Sequence, residues 1–213
     1  MLRFDELAFE QTPMGELTLR RRFEPAVGAD VYEVKLGDEY LMSSLFTVAE
    51  EALSELGLAA VHHDALDVVV GGLGLGYTAI AALRDARVSS MTVVDALPAV
   101  IDWHERRLLP VSGLLVDDDR TSLVHADFFA LVRAAAGAEG PLRTGVDAIL
   151  LDVDHSPSFT LDPSHADLYT VDGLRRLAAH LRPGGVFALW SDDPPEESFL
   201  DALRAVFARV EGH

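Results

Sequence analysis

Cysteine is absent from the 213 residues, which excludes disulfides, thiolate metal sites and cysteine nucleophiles. Lysine is nearly absent: Lys35 is the single example, and 35 acids outnumber 17 bases to give a formal charge of -18. Nucleic acid is therefore not expected as a partner, because phosphate binding needs a basic patch. The one basic run, Arg20-Arg21-Arg22, is bracketed by acids in a strand-like segment and reads as a solvated face. No apolar run of about 18 residues exists, so no membrane span is expected. The start, MLRFDELAFE, carries acids where a secretory signal needs a basic end and an apolar stretch, so the expected location is the cytoplasm.

With 49% apolar residues the chain can build one substantial core. Residues 6 to 42 read as three or four short antiparallel strands, separated by Pro-Met-Gly, Pro-Ala-Val-Gly and Leu-Gly-Asp turns. That stretch is too poor in apolar residues for a core of its own, so it should pack on the main domain or on a second subunit, which favours a homodimer. The reading divides the chain into a hairpin module, 1–43, and a main domain, 44–213. Thr47-Val48-Ala49-Glu50 fits a capping box at the start of a helix over about 47 to 57.

Beyond it, apolar strands alternate with amphipathic helices: LDVVVGG and YTAIAALRD, SMTVVDA and PAVIDWHERRL, TSLVHAD and FFALVRAAA, VDAILLDVD and DGLRRLAAHL, GGVFALWS and ESFLDALRAVFARV. Continuous apolar strands between helices indicate a doubly wound, mainly parallel sheet covered on both faces. This architecture usually adds one or two strands beyond the last of these helices, so the C-terminal edge of the sheet is expected to be incomplete.

Gly71-Gly72-Leu73-Gly74-Leu75-Gly76 follows a buried strand and opens a helix, the setting of a nucleotide-cofactor turn. Gly72, Gly74 and Gly76 allow sharp turning and close approach of a ligand, although tight strand-to-helix packing alone would also use them. Asp95 ends the second strand nineteen positions after Gly76, where an acid can accept from both ribose hydroxyls; it would equally suit a helix cap ahead of Pro98. Asp127 can offer an acceptor to an adenine amino group, with Phe128 against the ring, although Phe128 and Phe129 also fit an ordinary core.

The order of the glycine turn, Asp95 with Pro98, Asp127 and Asp152 resembles the spermidine synthase-like branch of the S-adenosylmethionine-dependent transferase fold. Leu168-Tyr169-Thr170 leading into Leu181-Arg182-Pro183-Gly184-Gly185 extends that resemblance over about residues 30 to 200. It implies a Rossmann-like α/β methyltransferase sheet with a small N-terminal β-hairpin module that helps form oligomers. It also implies S-adenosylmethionine or its decarboxylated form as donor, an amine or polyamine-like acceptor, and no metal. Spermidine synthases have an aspartate in the first turn to hold the aminopropyl ammonium, and Gly74 stands at that position here. Of their segment ahead of the first helix, Phe46 and Glu50 remain. Their Glu-Leu-Asp-Pro becomes Asp95-Ala96-Leu97-Pro98, which keeps the ribose acid and loses the second carboxylate.

In the family, acids after the fourth strand activate the amine. Asp152 matches the first, and His155 falls where the second would be, with Asp154 between them. A nucleophilic amine must lose a proton, so a carboxylate or imidazole within reach is the minimum equipment. Asp154, His155 and His165 fit no metal-ligand spacing. Trp190 and Asp192 follow the fifth strand, where an aromatic face with acids suits a cation, and Asp192 and Asp193 equally suit a plain loop. His62-His63 reads as a solvated link. The leading function is a spermidine synthase-like transfer of an aminopropyl or alkyl group to an amine. A small-molecule methyltransferase and a non-catalytic nucleoside-binding protein are the alternatives.

Overall fold

The computed structural model describes residues 4–12, 14–134, 136–137 and 139–213. Pro13 of the first predicted turn and Ala135 of the predicted third crossover helix lie outside them. The chain opens with four strands, β1 (Phe4–Thr12), β2 (Gly15–Glu24), β3 (Ala29–Leu36) and β4 (Glu39–Ser43), paired antiparallel in sequence order. Alternation along β2 sends Leu17 and Leu19 to one face and Arg20 and Arg22 to the other. Leu17, Leu19 and Val34 enter the same core cluster as the strands of the main domain, so the module is covered by its own chain on that face.

The opposite face corrects the expectation of a merely solvated basic run. Glu33, only 5% exposed, lies across from Arg20 and accepts from both Arg20 Nε (2.7 Å) and Arg22 Nε (2.8 Å). Two cations and one acid share this patch because cross-strand neighbours meet directly. Arg20 also lies 5.6 Å from the Phe4 ring centre and 4.7 Å from that of Tyr40.

The main domain follows as α1 (Val48–Ala59), β5 (Leu66–Gly71), α2 (Tyr77–Leu83), β6 (Val88–Asp95), α3 (Pro98–Glu105), α4 (Ser112–Val116), β7 (Thr121–His125), α5 (Phe128–Arg133) and β8 (Val146–Leu151). A 3-10 turn (Pro163–Asp167), α6 (Val171–Ala178), β9 (Leu181–Leu189) and α7 (Glu197–Arg204) complete it. The five strands are parallel in the order β7-β6-β5-β8-β9. Val68 and Val70 of β5 face one core, Val69 the other, which is why the strand reads as an unbroken apolar run. α1 approaches β8 closely at Gly57, where an added Cβ would be 2.8 Å from Leu150 Cδ2.

Several local expectations change. Thr47 does not cap α1; its hydroxyl donates to the Glu51 carboxylate (2.9 Å) instead, so the capping box is not formed. α5 and α7 end earlier than their apolar patterns, and β9 begins three residues earlier, at Leu181. α4 and the 3-10 turn were not anticipated. His63 is anchored rather than solvated, its Nδ1 lying 2.7 Å from Asp147 Oδ1.

Asp147 is completely buried at the amino end of β8 and also accepts from the Asp67 N–H (2.8 Å), with Arg182 Nη1 at 3.2 Å. It ties the starts of β5, β8 and β9 together. Asp147→Ala should cost about 2–3 kcal/mol through lost hydrogen bonds and an unfilled site, lowering Tm by roughly 5–10 °C. An unchanged thermal midpoint by calorimetry would show that the three strand starts hold together without it.

Candidate functional site

Strand order reverses between β5 and β8, and in doubly wound sheets the crevice for ligands opens at the carboxyl ends of such a pair. Two chain segments leave the sheet there. The glycine turn follows β5, and the segment from Asp152 follows β8, with the Asp152 N–H donating to the Gly71 carbonyl at 2.8 Å. Gly72, Gly74 and Gly76 all have positive φ, +94°, +46° and +90°. Gly72 is required by the crossing itself: a Cβ there would meet the Asp152 carbonyl oxygen at 2.0 Å. Above Gly74 lies Met42 of β4, its sulfur 2.9 Å from where a Cβ would be. The N-terminal sheet thus covers the position where the resemblance would place an acid.

Asp95 ends β6 and braces the turn from the side. Its Oδ2 accepts from the Leu73 N–H (2.9 Å) and its Oδ1 from the Leu97 N–H (2.8 Å). The Gly74 N–H also faces the carboxylate, which leaves it acceptor capacity for a ribose hydroxyl. Burial pushes its pKa up, while the backbone donors oppose that rise. The sequence suggested either a ribose acid or a cap; the carboxylate contacts the turn and the start of α3 together.

Asp152 receives a 2.5 Å hydrogen bond from Thr78 Oγ1 of α2. Burial, with repulsion from Glu50, pushes its pKa up to about 6 despite that bond. Glu50, at the start of α1, is also raised by burial, with Glu51 and Asp192 adding repulsion. Glu50 therefore stands between Asp152 and Asp192 and is in repulsion with each, which a cation would relieve. Thr78 was missed by sequence reasoning, because its position two residues past Gly76 gives no sign of a partner 74 residues away.

The remaining candidates separate. Asp154 is buried, accepting from the Leu161 N–H (2.8 Å) and Tyr169 hydroxyl (2.7 Å), with His165 Nδ1 at 2.8 Å. That is the geometry of a buried loop anchor, tying Leu161, His165 and Tyr169 together. His155 lies between Glu39 of β4 (Nε2–Oε1 3.7 Å) and Asp192 (Nδ1–Oδ2 3.5 Å), stacked on Phe159 with ring centres 5.0 Å apart. Its Nε2 is buried without a hydrogen-bond partner. Asp127 caps α5 through the Ala130 N–H (3.0 Å) and stays half-exposed beside Arg133. Phe128 corrects the expected ring contact: only 3% exposed, it packs beneath Gly71 in the core. Phe46 is 77% exposed and projects from the surface ahead of α1. Trp190 is partly buried against the core beside β8; its backbone N–H donates to the Leu151 carbonyl, while its indole Nε1 has no hydrogen-bond partner among the described residues. Among the described residues no cluster of three or more acids or histidines could hold a metal ion, and no helix is long and apolar enough to cross a membrane.

No protein-family model matches the sequence, and no curated protein matches it. Solved structures do. A spermidine synthase from Thermotoga maritima superposes with a TM-score of 0.69 at 20% identity, covering 94% of this chain and 62% of that one. The chain has the spermidine synthase fold. A spermidine synthase in complex with the transition state analogue AdoDATO gives 0.69 at 19% identity, over 94% of this chain and 64% of that one. Human methyltransferase-like protein 13 in complex with SAH gives 0.56 at 22% identity, over 76% and 74%. The chain thus spans just under two thirds of the length of these two synthases, and its own five-stranded parallel sheet with a four-stranded antiparallel sheet fits a Rossmann-like methyltransferase fold.

The raised carboxyl of Asp152 has a consequence for stability. An ordinary aspartate titrates near 3.8 and this one near 6, so the folded chain retains a proton that the unfolded chain has released. Stability accordingly falls as pH rises from about 4 to 6, by at most roughly 3 kcal/mol, and the loss is complete above that window. Asp152→Asn, which keeps an acceptor for Thr78, should raise Tm by several degrees at pH 7.5 and leave it nearly unchanged at pH 4. An equal effect at both values would exclude ionisation of Asp152 as the cause.

Proposed function

We propose that this protein is a transferase that binds an S-adenosylmethionine-type nucleoside in the crevice between β5 and β8 and passes an alkyl or aminopropyl group to an amine. The observation that carries the reading is Asp152, a carboxyl with a pKa near 6 on the same switch point as the glycine turn and Asp95. The AdoDATO and SAH complexes of the structural neighbours support a ligand of this class.

The turn and Asp95 suit such a nucleoside: they stand side by side at the carboxyl edge of the sheet, and Asp95 retains acceptor capacity for the ribose. When bound, the donor supplies a carbon activated by an adjacent sulfonium. Asp152 holds the acceptor amine and takes its proton as the nitrogen–carbon bond forms; the carbon–sulfur bond breaks with its electron pair going to sulfur, which leaves as a neutral thioether. Above pH 6 Asp152 is largely ionised, and its raised pKa makes it a better base than an exposed carboxylate. Glu50 and Asp192 attract the cationic amine to the crevice.

One contact favours methyl transfer as a second reading. Met42 fills the space over Gly74, so no side chain at that position can hold an aminopropyl ammonium. The outer face of the N-terminal sheet, where Phe4, Phe9 and Tyr40 are about half exposed, is the surface proposed to meet a second copy of the chain.

Calorimetric titration with S-adenosylmethionine, its decarboxylated form and methylthioadenosine tests the site and the donor together. Asp95→Ala should lose about 2–4 kcal/mol of nucleoside affinity, and Asp152→Asn should lose little. With an amine that supports turnover, Asp152→Asn should lower kcat by about a hundredfold to ten-thousandfold, and the wild-type profile should rise through pH 6. Failure of the wild type to bind all three ligands would refute the proposal.

A further inference from the structure

His104 is fully buried on α3, directly behind the glycine turn. Its Nε2 lies 3.0 Å from the Gly74 carbonyl oxygen, and its Nδ1 lies 3.2 Å from Ser112 Oγ at the start of α4. Burial holds its pKa below the ordinary 6.5, so at neutral pH the ring carries one N–H. A carbonyl can only accept, so that proton is on Nε2, and the Ser112 hydroxyl donates to Nδ1. The ring needs the space that Gly76 leaves: a Cβ there would be 2.8 Å from His104 Cε1.

The contact orients more than a carbonyl. In a planar trans peptide the C=O and the following N–H point in opposite directions, and the described chain has no cis peptide. Holding the Gly74 oxygen towards the buried imidazole therefore turns the Leu75 N–H away from it. The neighbouring amides are occupied: Gly72 N–H donates to Val94 O, Leu73 N–H to Asp95 and Gly76 N–H to Leu73 O. Leu75 N–H has no hydrogen-bond partner among the described residues.

We propose that His104 is a positioning residue for the nucleoside site, fixing the Gly74–Leu75 peptide so that the Leu75 N–H donates to an acceptor oxygen of the bound nucleoside. The inference rests on the proposed function. It adds a donor on the ligand and a residue, thirty positions from Gly74, that aims it without touching the ligand.

The experiment measures methylthioadenosine affinity and the Leu75 amide resonance in the wild type, His104→Gln and His104→Leu. Glutamine can carry an N–H donor to the Gly74 oxygen, whereas leucine fills the space without one. Leucine should weaken binding about tenfold and glutamine less than about threefold, even where both lower Tm alike. In the wild type the Leu75 amide should shift downfield on saturation, and in His104→Leu that shift should shrink. Equal affinities in the wild type and His104→Leu, or a wild-type Leu75 amide that ignores the ligand, would overturn the inference while leaving the proposed function standing. No binding by the wild type overturns both. If neither variant folds, a wild-type Leu75 amide that ignores the ligand still overturns the inference.

Discussion

The hydrogen bond from the Asp152 N–H to the Gly71 carbonyl is the last rung of the β5–β8 ladder, and the arrangement of the crevice follows from it. It places side by side two chain segments separated by about eighty residues, each leaving the sheet just as the order of strands reverses. Gly72 must lack a side chain because the Asp152 carbonyl occupies its space. Asp152 is held at that depth by the ladder, and the desolvation of its carboxyl there raises its pKa. Packing and acid–base chemistry at this edge thus have one cause.

Charge is distributed unevenly between the two ends of the sheet. At the amino end Asp147 is surrounded by donors, with His63, Arg182 and the Asp67 N–H around its carboxylate. At the carboxyl end Glu50 repels both Asp152 and Asp192, and Thr78 is the one side-chain donor to Asp152 among the described residues. The first arrangement stabilises the folded chain and the second destabilises it. A strained group of like charges at the end where the crevice opens is the pattern expected where a binding or catalytic function has been retained at a cost in stability.

The parallel sheet could be read from the sequence because Val68–Val70 and Ala148–Leu151 are buried on both sides, and only continuous apolar strands satisfy that environment. The glycine turn and Asp95 could be located because their spacing is local to one strand–helix–strand unit. Thr78 and His104 could not, since each acquires its role from a partner that only folding brings near. Glu33 shows the same limit: its two arginines are eleven and thirteen residues away, and no local pattern marks a buried acid. Phe128 illustrates the converse error, an aromatic whose place beside a candidate site in sequence says nothing about whether its ring turns inward.

Met42 joins the two sheets at the most exacting point of the molecule. It belongs to the antiparallel module yet touches the second glycine of the turn, so the first forty residues form part of the wall of the crevice. A substitution that slides β4 by one residue would reverse which side chain faces Gly74 and so change the shape of the crevice without altering any residue of the parallel sheet. Ligand preference in such a chain can drift through its outermost strand. Comparisons of relatives by their parallel sheets alone would then overlook a determinant of what they bind.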